Sequence, residues 1–284
     1  MPEIAQLGSQ DLVLCSGTLL TAGLRDMVDA AVAGRYSALT LWPQDVAGAR
    51  AEGMTETDIR SLLADNGLVV ADLDPLLGWT AEAMPRPGEA MIELAREDEF
   101  FAMAEAFGAR SLNVAQGFGD RLDLDRAAED LAGLCDRARE HGLLVTVEFL
   151  PWSGIPNAAV AYDLVQRTGR DNATLMVDTW HWYRGGADLD MLRSIPGDRI
   201  GSVQFNDAPA EAAADLVVES MQARLAPGEG DIPIADVIRV LDEIGSNAPL
   251  GVEVFNRRHA SMPPKEVAIF CAQSARRVLA SARD

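Results

Sequence analysis

The strongest constraint on this chain is a repeated piece of punctuation. Segments with helical periodicity stop at Gly34, Gly67, Gly108, Gly142, Gly169 and Gly245, and an apolar, β-branched run opens a few residues after each. Pro196-Gly197 does the same before Ile200. Glycine suits the left-handed position that closes a helix, because it has no Cβ to collide there. Seven helix-to-strand turns of one kind imply seven repeats of one unit. The runs fall at residues 12–15, 38–41, 68–72, 111–114, 143–149, 173–178, 200–205 and 250–255. They are too short for helices and apolar on both faces, as strands of a buried parallel sheet are. Helical patterns lie between them at 24–33, 57–64, 89–107, 125–141, 158–168, 189–194 and 234–244, and 264–280 closes the chain. Thr57, Asp125 and Asn157 are the expected N-caps. Eight strands alternating with eight helices over 284 residues is the arithmetic of one α/β domain, a (β/α)8 TIM barrel spanning residues 1–284.

A doubly wound sheet is the rival architecture. Its first strand would lead into a glycine-rich phosphate turn, whereas this one leads into Cys15-Ser-Gly-Thr-Leu-Leu. The longest irregular stretch, 208–231, follows the seventh strand and reads as a lid or rim loop.

Four of the strand runs end alike. Val147-Glu148, Val177-Asp178, Val203-Gln204 and Val252-Glu253 each set a hard-oxygen side chain after a valine, near the carboxyl end of the strand. In a barrel, strand side chains alternate between the lumen and the helix layer. If the valines pack against helices, the four oxygens point inward, at the end where such folds bind ligands. Buried carboxylates are costly without a partner, and lysine occurs once, at Lys265. The expectation is therefore one divalent ion held by Glu148, Asp178, Gln204 and Glu253, with Mg²⁺ or Mn²⁺ suiting three carboxylates and an amide better than a thiolate-type zinc site. His181 follows Asp178 by three residues and is expected to face the same mouth; His141, at a helix end, reads as structural.

All five tryptophans come after strand ends: Trp42, Trp79, Trp152, Trp180 and Trp182. A ring of aromatics around an ion suits stacking on the apolar face of a sugar-like or other six-membered ring. The alternative is that they plug the mouth or form a homo-oligomer contact. Composition excludes other classes. A formal charge of −20 argues against phosphate-backbone binding, so no nucleic-acid partner is expected. No apolar run reaches the length of a membrane span, and no signal peptide is visible. Cys15, Cys135 and Cys271 are too scattered for a disulfide framework, which points to a cytoplasmic location.

These motifs, Val-Glu148-Phe, Val-Asp178-Thr-Trp-His181, Val-Gln204-Phe-Asn-Asp207, Pro227-Gly-Glu-Gly230 and Val-Glu253-Val, resemble the xylose-isomerase-like barrel superfamily of sugar phosphate isomerases and epimerases. The resemblance implies a metal held by the two glutamates, the aspartate and a strand-seven histidine. Gln204 stands where that histidine is commonest, as it does in the 3-dehydroshikimate dehydratase branch. It also implies substrate-facing roles for His181 and for an arginine before the Pro-Gly-x-Gly stretch, here Arg224. Glu148 and Glu253 would flank the carbon beside a metal-bound carbonyl, and proton transfer between them would isomerise or epimerise a hydroxy-carbonyl substrate. With a leaving hydroxyl β to that carbon, the same site would act as a lyase on a cyclic keto-polyol or a keto-glycoside. An apurinic-site nuclease of this fold would need a histidine-rich metal cluster and a basic groove; three histidines and the acidic charge speak against it.

Overall fold

A computed structural model describes residues 6–85 and 94–284. Eight parallel strands close into a barrel in chain order: β1 Leu12–Leu14, β2 Ala38–Leu41, β3 Val69–Leu76, β4 Ser111–Ala115, β5 Leu144–Glu148, β6 Ala173–Asp178, β7 Ile200–Phe205 and β8 Leu250–Val252. The helices among the described residues are α1 Leu24–Gly34, α2 Pro43–Ala51, α3 Glu56–Asp65, α4 Glu97–Phe107, α5 Leu124–Glu140, α6 Ala158–Thr168, α7 Thr179–Arg184, α8 Leu189–Arg193, α9 Leu216–Gln222, α10 Ile234–Glu243 and α11 Pro264–Arg283. The barrel is the expected one. Residues 89–93 of the expected fourth helix lie outside the described residues. No helix among those described is long and apolar enough to cross a membrane.

Alternation along the strands builds two environments. Val145, Val147, Leu175, Val177 and Val203 join the main apolar core beneath the helices, while Thr146, Glu148, Thr174, Asp178, Ser202 and Gln204 are buried polar residues between them. The lumen of this barrel is thus unusually polar. A separate small apolar cluster, Val13, Ala38 and Ala71, joins the first three strands.

Several expected boundaries move. Thr55, not Thr57, caps α3, in a capping box with Asp58. Asp123, not Asp125, caps α5, accepting from the backbone N–H groups of Asp125 and Arg126. Asn157 caps α6 as expected. Five of the six helix-closing glycines take the left-handed conformation; the exception is Gly34, where Arg35 adopts φ 57° instead. Gly34 is small for a different reason, since a Cβ there would lie 2.6 Å from the Tyr36 ring. The stretch 208–231 is not wholly irregular: it contains α9, tied back by bridges between Asp207 and Leu225 and between Ala223 and Asn256.

Candidate active site

The carboxyl ends of β5 to β8 present the side chains expected there. Glu148 and Asp178 are the last residues of β5 and β6, Asp178 pairs in register with Gln204, and Glu253 lies one residue beyond β8. Asp178 does two jobs. Its Oδ1 accepts from the His181 backbone N–H at 2.9 Å, capping α7 and folding that helix over the mouth. Its Oδ2 accepts from Asn206 Nδ2 at 2.6 Å and from Arg224 Nη1 at 2.8 Å. Glu148 Oε2 accepts from Asn113 Nδ2 at 2.8 Å, and its Oε1 lies 3.4 Å from His181 Nε2. Gln204 Nε2 donates to Glu253 Oε1 at 3.4 Å, while Glu253 Oε2 is 3.2 Å from Arg224 Nη1.

Arg224 joins the two halves of this set. It follows α9, and its backbone N–H donates to the Phe255 carbonyl at 3.0 Å. Ser220 fixes the guanidinium, its carbonyl accepting from Nε at 2.9 Å and its hydroxyl from Nη2 at 2.8 Å. The Phe255 and Trp180 rings lie 4.9 and 5.7 Å from the guanidinium carbon. The helix itself is anchored by Glu219, which is buried and accepts from Arg184 at 2.7 Å and from Trp180 Nε1 at 3.0 Å.

With Asp74 on β3, four buried carboxyl groups (Asp74, Glu148, Asp178, Glu253) gather at the mouth, and two of them, Asp178 and Glu253, pair with the Arg224 guanidinium. Ionising all four without water is expensive. Burial, with the charges of Asp74 and Asp178 added, pushes Glu148 from 4.5 to about 8. Burial raises Glu253 well above the carboxylate range against the opposing pull of Arg224, and raises Asp74 to about 6. Burial also lowers His181 to about 3, so the imidazole is neutral. Arg224 Nη2 lies 3.1 Å from His181 Nε2 and can only donate, which places the ring proton on Nδ1. Among the described residues that Nδ1 is buried without a partner, as is Gln204 Oε1.

The tryptophans divide. Trp152, Trp180 and His181 form one edge-to-face cluster, with centroids 5.2–6.1 Å apart. Trp42 stacks on Phe255 at 6.0 Å. Trp79 is buried, and its N–H is used on the Ala115 carbonyl, so it supports the β4 end. Trp182 is also buried. Asp74, Asn113, Asn206 and Phe255 are site residues that the strand-end reading missed. Asp72 and Asp74, two apart within an apolar run, were the visible signal for the first of them.

The family described as "Xylose isomerase-like TIM barrel" matches residues 29–273. This chain belongs to that family. A 3-dehydroshikimate dehydratase from Pseudomonas aeruginosa is 28% identical over 256 residues, covering 88% of this chain and 39% of that protein. An inosose isomerase from Bacillus velezensis is 30% identical over 142 residues, covering 49% of this chain and 50% of its own. The chain therefore spans two fifths to one half of these curated relatives. A solved structure described as IOLI protein with a binding zinc atom superposes with a TM-score of 0.81 at 17% identity, covering 96% of this chain and 97% of that one.

The divalent ion that the family resemblance implies fits the residues present. Glu148, Asp178 and His181 bring ligand atoms within 4.8 Å of one another. His181 thus joins two of the expected ligands, while Gln204 and Glu253 adjoin the same acids through Arg224 and each other. An orphaned amide oxygen beside several under-neutralised carboxylates is a hard donor set.

Proposed function

We propose that this chain is a divalent-metal-dependent isomerase or epimerase acting on a sugar-like hydroxy-carbonyl compound. Mg²⁺ or Mn²⁺ is the ion, with Glu148, Asp178, Gln204 and Glu253 as its ligands and His181 beside them. The observation that carries this reading is the gathering of four buried carboxyl groups at the barrel mouth, faced among the described residues by one guanidinium, so that burial holds Glu148, Glu253 and Asp74 above the ordinary carboxylate range until a cation joins them. Bound there, the ion supplies Lewis-acid stabilisation of charge on a substrate carbonyl oxygen.

The chain's own residues supply the rest. Glu148 and Glu253 stand on strands three apart around the barrel, and exchange a proton with the carbon beside the carbonyl, one taking it and the other returning it. A carboxylate held near neutrality is suited to both acts. Arg224 donates a hydrogen bond to the oxygen on which charge develops, and His181, whose Nε2 faces Arg224 and Glu148, stands beside that oxygen. Trp42 and Trp152 pack against the apolar face of the substrate, while the fully buried Trp180, held against Arg224 and Glu219, and Trp79 brace the wall behind it.

A second reading, dehydration by the same residues, is favoured by Gln204 and by the dehydratase that matches most of this chain. Full-length protein with Mg²⁺ in D₂O, followed by NMR with an inosose and with 3-dehydroshikimate, tests both. Deuterium entering beside the carbonyl without loss of water, abolished by EDTA, is the expected result. A new vinyl signal selects the lyase. Turnover indifferent to chelation overturns the metal reading.

A further inference from the structure

Two pieces of sequence have no part in the chemistry above: Pro227-Gly-Glu-Gly230, and the Asp207 that ends the β7 motif. The fold brings them together. Asp207 is buried just beyond β7, and its carboxylate collects backbone N–H groups. Oδ1 accepts from Ala208 at 2.8 Å and from Ile232 at 2.9 Å, and Oδ2 accepts from Gly228 at 2.8 Å. The loop is shaped to reach it. Gly228 has φ 83°, a conformation that costs glycine nothing. At Gly230 a Cβ would press on the Ala208 carbonyl and lie 2.5 Å from Asp207 Oδ1, so only a glycine lets the loop close on the carboxylate.

Arg224 stands where this loop begins. Asp207 and Leu225 exchange both main-chain hydrogen bonds at 2.8 Å. One residue earlier, the Arg224 N–H donates to the Phe255 carbonyl at 3.0 Å, and the Arg224 carbonyl accepts from Asn256 Nδ2 at 2.8 Å. The backbone that carries the guanidinium is therefore strung between the extensions of β7 and β8, and the Asp207 carboxylate pins its onward path. An amide could not do the same. Asparagine has one acceptor oxygen and an NH₂, so one arm would meet a backbone N–H with another N–H.

We propose that Asp207 is a positioning residue for Arg224. With Gly228 and Gly230 it forms a latch that holds the guanidinium against Asp178 and Glu253, so that the donor is in place before charge develops on a substrate. That the guanidinium serves a reaction rests on the function proposed above; that Asp207 holds it does not.

The test labels the folded full chain with phenylglyoxal and reads each arginine by peptide mass spectrometry. In the wild type the buried Arg224 is expected to be protected while the exposed Arg257 and Arg258 react. Asp207→Asn and Gly230→Ala should each speed the labelling of Arg224 at least tenfold, with Arg184, buried against Glu219, still protected. Labelling of Arg224 that Asp207→Asn leaves unchanged overturns the latch. So does exposure of Arg184 together with Arg224, which would make Asp207 a residue of the fold at large. If Asp207→Asn does not fold, Gly230→Ala decides by the same criteria. Mn²⁺ titrated calorimetrically then follows the route of the effect. Arg224→Gln removes a cation from two of the proposed ligands and should tighten Mn²⁺ binding several-fold. Asp207→Asn should shift it in the same direction and add nothing in the Arg224→Gln background. Full additivity, or no shift with Asp207→Asn, overturns the route through the guanidinium. No Mn²⁺ binding by any form defeats the ion reading, and the labelling decides the latch on its own.

Discussion

Gln204 decides the hardness of the proposed ion site. An amide oxygen is a harder and weaker donor than an imidazole, so Gln204→His should raise Zn²⁺ affinity at least tenfold relative to Mg²⁺, measured by competition with a chelating dye. Glu148 carries the opposite burden. Its folded-state pKa of about 8 means that ionising it opposes folding whenever no cation is bound. Glu148→Gln should therefore raise the metal-free melting temperature at pH 8 by several degrees, at about 2–4 °C per kcal/mol for a chain of this size. The same substitution should remove nearly all proton exchange, by a factor on the order of 10³, within the range of a lost general base. Higher stability with lost activity separates a catalytic carboxylate from a structural one. These identities were readable as oxygens after valines; Asp74 showed only in its two-residue spacing from Asp72, and Asn113 not at all, because nothing local tells a lumen-facing polar group within a strand from one that pairs with a neighbour.

Among the elements, α9 has the largest consequence for its size. It has seven residues and little helix-forming power alone, and it presents Val217, Val218 and Met221 to solvent. What holds it is Glu219, paired in the interior with Arg184 and with the Trp180 indole. Removing one partner of such a pair leaves an uncompensated buried charge. Glu219→Ala should cost about 3–5 kcal/mol by urea denaturation, and Glu219→Gln, which can still accept from Trp180, should cost less. Because Ser220 and Arg224 follow directly, the same variant should weaken any reaction that uses the guanidinium. Periodicity could not reveal α9: a helix of two turns, pinned by an ion pair to a residue 35 positions away, leaves no repeating pattern in the chain.

For the whole molecule, the mouth makes stability depend on pH in a way that surface charges do not. Glu148, Glu253 and Asp74 all have folded-state pKa values raised above their unfolded ones. Their contribution is fully present below the unfolded carboxylate range and is lost as pH rises through the folded values. The metal-free melting temperature should accordingly fall between about pH 5 and pH 8, as seen by scanning calorimetry. A bound divalent ion adds about 2.7 kcal/mol at one hundred times its dissociation constant, and because protons compete for the same oxygens the gain should be larger at pH 8 than at pH 5. On the acid side, His181 acts in the other direction. Lowered to about 3 from 6.5, it contributes stability above the ordinary histidine range that is lost as pH falls towards its folded value.

The sequence by itself determined the barrel and the place of its active end. Glycine-closed helices, buried β-branched runs and a strand period of two are local properties, and each acts through the backbone of the few residues that carry it. They also determined that Glu148, Asp178, Gln204 and Glu253 would lie at one rim, since closure of the barrel brings successive strand ends together. Only the tertiary structure decided how those groups are partnered: that Arg224 lies between Asp178 and Glu253, that His181 Nδ1 has no partner among the described residues, and that Asn113 ties Asp74 to Glu148. Those facts depend on burial and on contacts between residues from 29 to 46 positions apart, where the energy of a charge is fixed by what closes around it.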